Sequence, residues 1–418
     1  MGFIASLKRL LSVAILMLAG MCTALVLVNL IPNDRIMSHL RSSMSATNYQ
    51  PSQLGFGKVD FWGECSAASM GVGTKADELP LVARSFLSPT IGNCERFQNY
   101  LGGNTSVGHN YWRYWHGYQI FSRPILYVAN LNQVHYVLVL LFVFSAAFFA
   151  IQVARFSRAC SWSFVIALFC APVAAQITML PHFMVWVLAF SIGGWLLRPA
   201  SRARAEELDG EYLWFLVLGM LCCFFDLFTV PLITLTVPLL GLYWKGECDS
   251  GSRKLTLRSM LILSTLWLAG YSICWATKWL IAGAILGKGA ATEISNVIQH
   301  RIGVGSGPLG DEGQEFSVSA AASILDNARQ CWPGLLAISG LTIARIRPIT
   351  AAVRSNMRRS SSTLAMPLML FLMPLVWLAI VKQHSMWHAW FVARIYFSSF
   401  AMLIAFILAP QSRSGIQA

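Results

Sequence analysis

Apolar residues run along this chain in long blocks that short cation-bearing connections interrupt. A helix rises 1.5 Å per residue and the hydrocarbon core of a bilayer is about 30 Å thick, so about 20 apolar residues make one crossing. On that measure the sequence predicts spans at 10–31, 134–153, 161–178, 183–197, 212–228, 230–244, 259–281, 332–346, 364–381 and 389–409. The fold class expected is an all-α integral membrane protein of about ten transmembrane helices with long extracytoplasmic loops.

Composition agrees with the pattern. Apolar residues make up 56% of the 418 positions and charged residues 12%, too little polar surface to clothe a soluble fold. The net charge of +13 would suit a nucleic-acid partner if the cations lined one helix face or tail. Instead they sit between the apolar runs, at Lys8 and Arg9; Arg155 and Arg158; Arg198, Arg202 and Arg204; Lys245, Arg253, Lys254 and Arg258; Arg345, Arg347, Arg354, Arg358 and Arg359; and Arg413. Every second connection is basic, which assigns those connections and the N-terminus to the cytoplasm and excludes nucleic acid as the expected partner. The first apolar run is too long for a cleaved signal peptide and lacks a small-x-small site, so it reads as a retained span. The chain is thus one polytopic membrane domain, 1–418, with two long extracytoplasmic segments, 32–133 and 282–331.

Ten cysteines are present, most inside spans, where a small apolar filler is the ordinary reading. Cys65 and Cys94 share the first outer loop, where a disulfide is chemically permitted. There is no CxxC pair, HExxH, phosphate-binding loop or GxSxG elbow to support a metalloprotease, ATPase or serine hydrolase. A sequon at Asn104-Thr105-Ser106 is short enough to arise by chance.

Four outer-side blocks carry candidate chemistry. Lys58-Val-Asp60-Phe-Trp-Gly-Glu64 sets two carboxylates four apart, which share a side if the segment is helical; one of them, partly desolvated by Phe61 and Trp62, is a candidate general base, the bland reading being a solvated loop acid. Arg113, Tyr114 and His116 lie in Asn110-Tyr-Trp-Arg-Tyr-Trp-His-Gly-Tyr118, followed by Arg123-Pro124. This mixture serves either as an interfacial aromatic belt or as a sugar and phosphate site. Asp226 stands at the outer end of the fifth span, where an ionisable group needs a partner, and Lys278 in the seventh span is the natural opposite charge, unless it simply snorkels. His384, His388 and Arg394 close the set. Two histidines four apart suit a metal ion less well than a phosphate when an arginine accompanies them and no acid is near in sequence.

Taken together, Asp60-Phe-Trp-Gly-Glu64, the Arg113-to-Tyr118 block with Arg123-Pro124, Asp226-x-x-Thr229-x-Pro231 and His384-Ser-x-x-His388-x-Trp-Phe-x-x-Arg394 resemble bacterial membrane glycosyltransferases of the GT-C superfamily. The likeness covers nearly the whole chain and departs at Gly63-Glu64, where such proteins carry Thr-Asp or a close variant. It implies an enzyme of the bacterial inner membrane that takes one sugar from a polyprenyl-phosphate donor on the periplasmic side. Some relatives look like arabinofuranosyltransferases that act on cell-surface glycans or pilins. The implied roles are Asp60 or Glu64 as the base, and Arg113, Tyr114, His116, Arg123, Lys278, His384, His388 and Arg394 around the substrate, with Asp226 orienting a cation. The sequence demands no cofactor, although some members of the superfamily use a divalent ion. A flippase or transporter of lipid-linked sugars and a polymer ligase are the rival classes, with a membrane acyltransferase behind them. A transporter would show internal repeats and midplane charges, neither of which is evident.

Overall fold

A computed structural model of the protein describes residues 2–44, 56–104, 108–198, 209–287, 289–302, 318–347, 350 and 362–408. Thr105 and Ser106 of the sequon, Arg202, Arg204, Arg354, Arg358, Arg359 and Arg413, and residues 303–317 of the second long segment lie outside them.

The chain is helical, and strand among the described residues is confined to β1 (Pro89–Thr90) and β2 (His109–Asn110), paired antiparallel. Each of the ten apolar runs contains α-helix, but the helix in 161–178 ends at Cys170 and the rest of that run is an irregular connection with one 3-10 turn at Ala174–Gln176. Four helices are long and apolar enough to cross a membrane: α1 (Gly2–Val28), α8 (Leu131–Ala154), α13 (Leu257–Leu286) and the broken helix over Ala389–Leu408. Their outward apolar side chains, such as Leu16, Tyr136, Phe144 and Leu280, are 68–75% exposed, as a lipid-facing surface requires. Others are shorter: α9 (Arg158–Cys170), α10 (Met184–Leu196), α11 (Asp209–Phe225), α12 (Ile233–Cys248), α16 (Trp332–Ala344) and α17 (Ser362–Ile380). A helix of 13 residues, such as α9 or α10, is about 20 Å long and cannot reach across about 30 Å of hydrocarbon by itself. The connection between them, 171–183, is consequently drawn down into protein.

Capping fixes where the long helices begin. Asn130 with Gln133 forms a capping box at α8, and Thr256 with Ser259 does so at α13. In the bundle α11 lies against α13 with almost no gap. A Cβ on Gly219 would stand 2.0 Å from the Trp267 carbonyl oxygen, and one on Gly270 2.2 Å from that of Leu216, the close backbone approach that small residues permit between membrane helices. Phe149, Phe164, Trp186, Phe190 and Phe397 fill the centre.

The first long segment, 32–133, packs against this bundle as α2 (Asn33–Met44), α3 (Phe61–Ala68), α4 (Thr74–Asp77), α5 (Leu81–Leu87), α6 (Cys94–Leu101) and α7 (Gln119–Val128). They enclose a small core that includes Ile36, Leu40, Phe97, Tyr118 and Leu126. A disulfide joins Cys65 on α3 to Cys94 on α6. Part of the second long segment forms α14 (Gly289–Ile302) and α15 (Ala320–Gln330), and α18 (Lys382–Trp387) and α19 (Ala389–Val392) lead into the last helix, α20 (Tyr396–Leu408).

Candidate active site

The acidic motif works as a helix start. Asp60 is the N-cap of α3, its Oδ1 accepting from the Gly63 N–H at 3.0 Å, which turns Oδ2 away from the helix. That oxygen accepts from His182 Nε2 at 2.9 Å. Glu64, one turn later, is completely buried; it meets His135 Nε2 of α8 at 2.7 Å and the Leu180 N–H at 2.8 Å. Both carboxylates therefore seize the same inward connection, as spacing by four allows, yet their surroundings differ. The Asp60 side chain keeps 12% of its surface open and that of Glu64 none.

His182 is held from its other side by Arg394, whose Nη2 is 3.1 Å from Nδ1. Arg394 also donates to the Phe391 carbonyl at 2.5 Å and is fully buried. Burial favours the neutral acid of Asp60, but the His182 hydrogen bond and charge, the Gly63 N–H and His388 outweigh it and hold the carboxyl below its ordinary pKa. Burial, with the nearby Arg394 charge, lowers the pKa of His182 despite the facing carboxylate. The pair at neutral pH is a carboxylate and a neutral imidazole.

The aromatic block forms the adjoining wall. His116 adopts a left-handed φ of 57°, which lets its Nε2–H donate to the Tyr111 carbonyl at 2.6 Å while Nδ1 accepts from the Tyr118 hydroxyl at 3.0 Å. Tyr111 and Tyr114 meet edge to face, with ring centroids 5.4 Å apart. The Arg113 guanidinium lies 5.5 Å from the Tyr111 ring, and Arg301 of α14 lies 5.4 Å from Tyr114 and 4.4 Å from Phe228 while donating to the Tyr114 hydroxyl. Neither arginine makes an ion pair with a carboxylate among the described residues. His384 Nε2 meets the Phe228 carbonyl at 2.9 Å and its ring is 4.7 Å from that of His388. Tyr111 lies within electrostatic reach of Asp60, Arg113 and Arg301 together, and His388 within reach of Asp60 and Arg301, so these groups share one region.

From the two arginines an apolar groove of about 390 Å³ runs along α13 and α14. Trp267, Tyr271, Trp275 and Trp279 line one side, Val297 and Ile298 another, and Trp377 and Val381 close it.

Of the residues singled out in sequence, Asp60, Arg113, Tyr114, His384 and His388 border this region directly, with Arg394 behind it. His116 is a strap for the Tyr111 backbone; burial, above all, takes its pKa down to about 3, so it brings no positive charge. Burial first, then neighbouring Arg301, likewise lowers His384, and burial with Arg301 brings His388 to about 4. Arg123 donates to the carbonyls of Val28, Ile31 and Met70 and to Asn33 Oδ1 at 2.9–3.2 Å, closing the C-terminal end of α1. The expected pairing of Asp226 with Lys278 is absent among the described residues. Asp226, just beyond α11, accepts from the Thr229 N–H and hydroxyl and faces Arg394, whereas Lys278 reaches the Phe86 carbonyl at 2.5 Å. Sequence reasoning missed His182, His135, Tyr111 and Arg301. His182 carried a signal, as an ionisable residue in the short connection 179–182 between two predicted spans. No group of three or more potential metal-ligating acids, histidines and cysteines gathers among the described residues.

No protein-family model, curated protein or solved structure matches this chain.

Proposed function

We propose that the chain is a glycosyltransferase that moves a single sugar from a polyprenyl-phosphate donor to an acceptor hydroxyl on the periplasmic face of a bacterial inner membrane. The observation that carries this reading is the joining of three features in one region: a carboxylate kept ionised with one edge open, two arginines that pair with no carboxylate among the described residues, and an aromatic-lined groove leading away from them. A polyprenyl phosphate has the complementary parts, an anionic head and an apolar tail. The Cys65–Cys94 bridge supports the outer placement, because disulfides persist where the compartment is oxidising.

In the step proposed, the acceptor oxygen forms a bond to the anomeric carbon as the bond from that carbon to the phosphate oxygen breaks. The polyprenyl phosphate leaves with the electron pair, and the acceptor proton passes to Asp60. Arg113 and Arg301 hold the departing anion, Tyr114 keeps Arg301 in place, and neutral His384 and His388 wall the site. Glu64, lacking solvent contact, anchors the 171–183 connection instead of taking the proton. Arabinofuranose is the leading donor sugar, and a pilin or surface glycan the leading acceptor, on the strength of the motif resemblance alone.

In a deletion strain complemented at equal protein level, Asp60→Asn should abolish the pentose or hexose addition seen by mass analysis of surface glycans and pilins, a loss of about 10²- to 10⁴-fold. Glu64→Gln should lower the amount of folded protein more than the transfer per molecule. Unchanged transfer by Asp60→Asn sinks the assignment, and appearance of a preassembled glycan as product turns it towards a ligase.

A further inference from the structure

His182 stands between two groups with opposite demands. Arg394 carries N–H donors and no acceptor, so the 3.1 Å contact of its Nη2 with Nδ1 requires Nδ1 to be the accepting nitrogen. The ring proton must then sit on Nε2, which faces Asp60 Oδ2 at 2.9 Å and donates to it. Nothing in this arrangement is free to rotate: His182 is 1% exposed, its ring packs on Phe391 with centroids 5.1 Å apart, and Arg394 is itself fixed to the Phe391 carbonyl at 2.5 Å.

We infer that His182 is a positioning residue for Asp60, locked by Arg394 in the Nε2–H tautomer so that it donates to the carboxylate and never receives the proton that the carboxylate collects. The inference rests on the reading of Asp60 as the base. It separates this site from relays in which a histidine takes the proton and a third group stabilises the imidazolium. Protonating His182 at Nδ1 would set an N–H donor head-on against the Arg394 guanidinium inside protein, so the arginine blocks what a carboxylate in its place would promote. The proton therefore remains on Asp60 and leaves through that residue's open edge.

The groups facing Asp60 make the consequence measurable. They are His182 from the inward connection, His388 after α18, Tyr111 from the aromatic wall, and Arg394, which acts both directly and through His182; Glu64 acts through His182, and Arg301 through His388. Burial drives Asp60 towards its neutral form, and the His182 interaction is the largest influence opposing it. Removing that donor leaves only the Gly63 N–H and His388 to oppose burial and should raise the pH at which Asp60 takes up its proton. Gln, whose amide nitrogen can occupy the place of Nε2, should restore it.

The test is infrared difference spectroscopy of the purified full chain in lipid nanodiscs at pH 5 and pH 7, with the protonated-carboxyl band assigned to Asp60 by its loss when Asp60→Asn is combined with His182→Ala. The wild type should lack that band at both pH values. His182→Ala should show it at pH 5, with a midpoint moved up by at least one pH unit, and His182→Gln should remove it again. A His182→Ala spectrum identical with wild type overturns the inference, as does ¹⁵N-histidine NMR that finds His182 protonated at Nδ1. The measurement needs no sugar donor. If the band behaves as expected while Asp60→Asn still transfers sugar in cells, the positioning role stands and the glycosyltransferase reading falls.

Discussion

Asp60 binds through two different oxygens, one for the helix and one for His182, and Gly63 makes that possible. A Cβ at position 63 would lie 2.2 Å from Asp60 Oδ2, well inside contact distance, so any larger residue must push the carboxylate aside. Gly63→Ala should therefore cut transfer by about 10²-fold or more, the scale expected when a positioned acid or base is misplaced, with little change in donor affinity. Steady-state kinetics separating kcat from KM checks this; a change confined to KM would assign Gly63 to binding. The sign of the pH dependence follows from the same residue. A base whose pKa is held below the ordinary carboxylate value of 3.8 is ionised at every pH above that range, so activity is lost only as pH falls through it. The common side of Asp60 and Glu64 was legible because a spacing of four is a local property of a helix. Their division of labour was not, because His182 lies 122 positions from Asp60 and His135 lies 71 from Glu64.

At the scale of elements, α13 and α14 give the groove its character. α13 offers one ring per turn, from Trp267 through Tyr271 and Trp275 to Trp279, and α14 brings Arg301 to the end of that ladder. Arg301→Ala should weaken transfer by about 10²- to 10³-fold, as removal of a preorganised anion donor does. Arg301→Lys should recover little, because a compact ammonium replaces neither the planar fork nor its stacking on Phe228 and Tyr114. Kinetics with both variants at equal protein level checks this, and full recovery by lysine would reduce the role of Arg301 to charge alone. The helices themselves were easy to read, since hydrophobic length is written locally and each apolar run contains one, although 171–178 of the third run did not join its helix. Harder to read were the cations. Arg123 and Lys278 look like anion ligands in sequence, but both spend their N–H groups on backbone carbonyls that become available only when α1 and α5 end beside them. Arg301 was passed over because it sits in a polar segment with no motif around it.

Across the whole molecule, the outer layer and the membrane bundle depend on each other. The outer core is small, and the Cys65–Cys94 bridge ties α3 to α6 across a sequence separation of 29 residues. Replacing Cys94 by Ser should lower thermal stability by about 2–4 kcal/mol of unfolding free energy, with the melting temperature of purified protein as the measure. An unchanged melting temperature would show that packing alone fixes α3. Hydropathy and cation placement predicted that the four motifs share a face. They could not predict that the 171–183 connection enters between them, because the shortness of α9 and α10 becomes consequential only once neighbouring helices enclose their ends.

Asp60 precedes His388 and Arg394 in the chain by nearly the whole length of the helical bundle. A ribosome delivers the carboxylate long before it delivers the groups that surround and tune it. Until the final helix is in place, Asp60 lacks His388 beside it and His182 lacks the arginine that holds its ring. The surroundings of Asp60 are thereby finished only when the last of these helices joins the bundle.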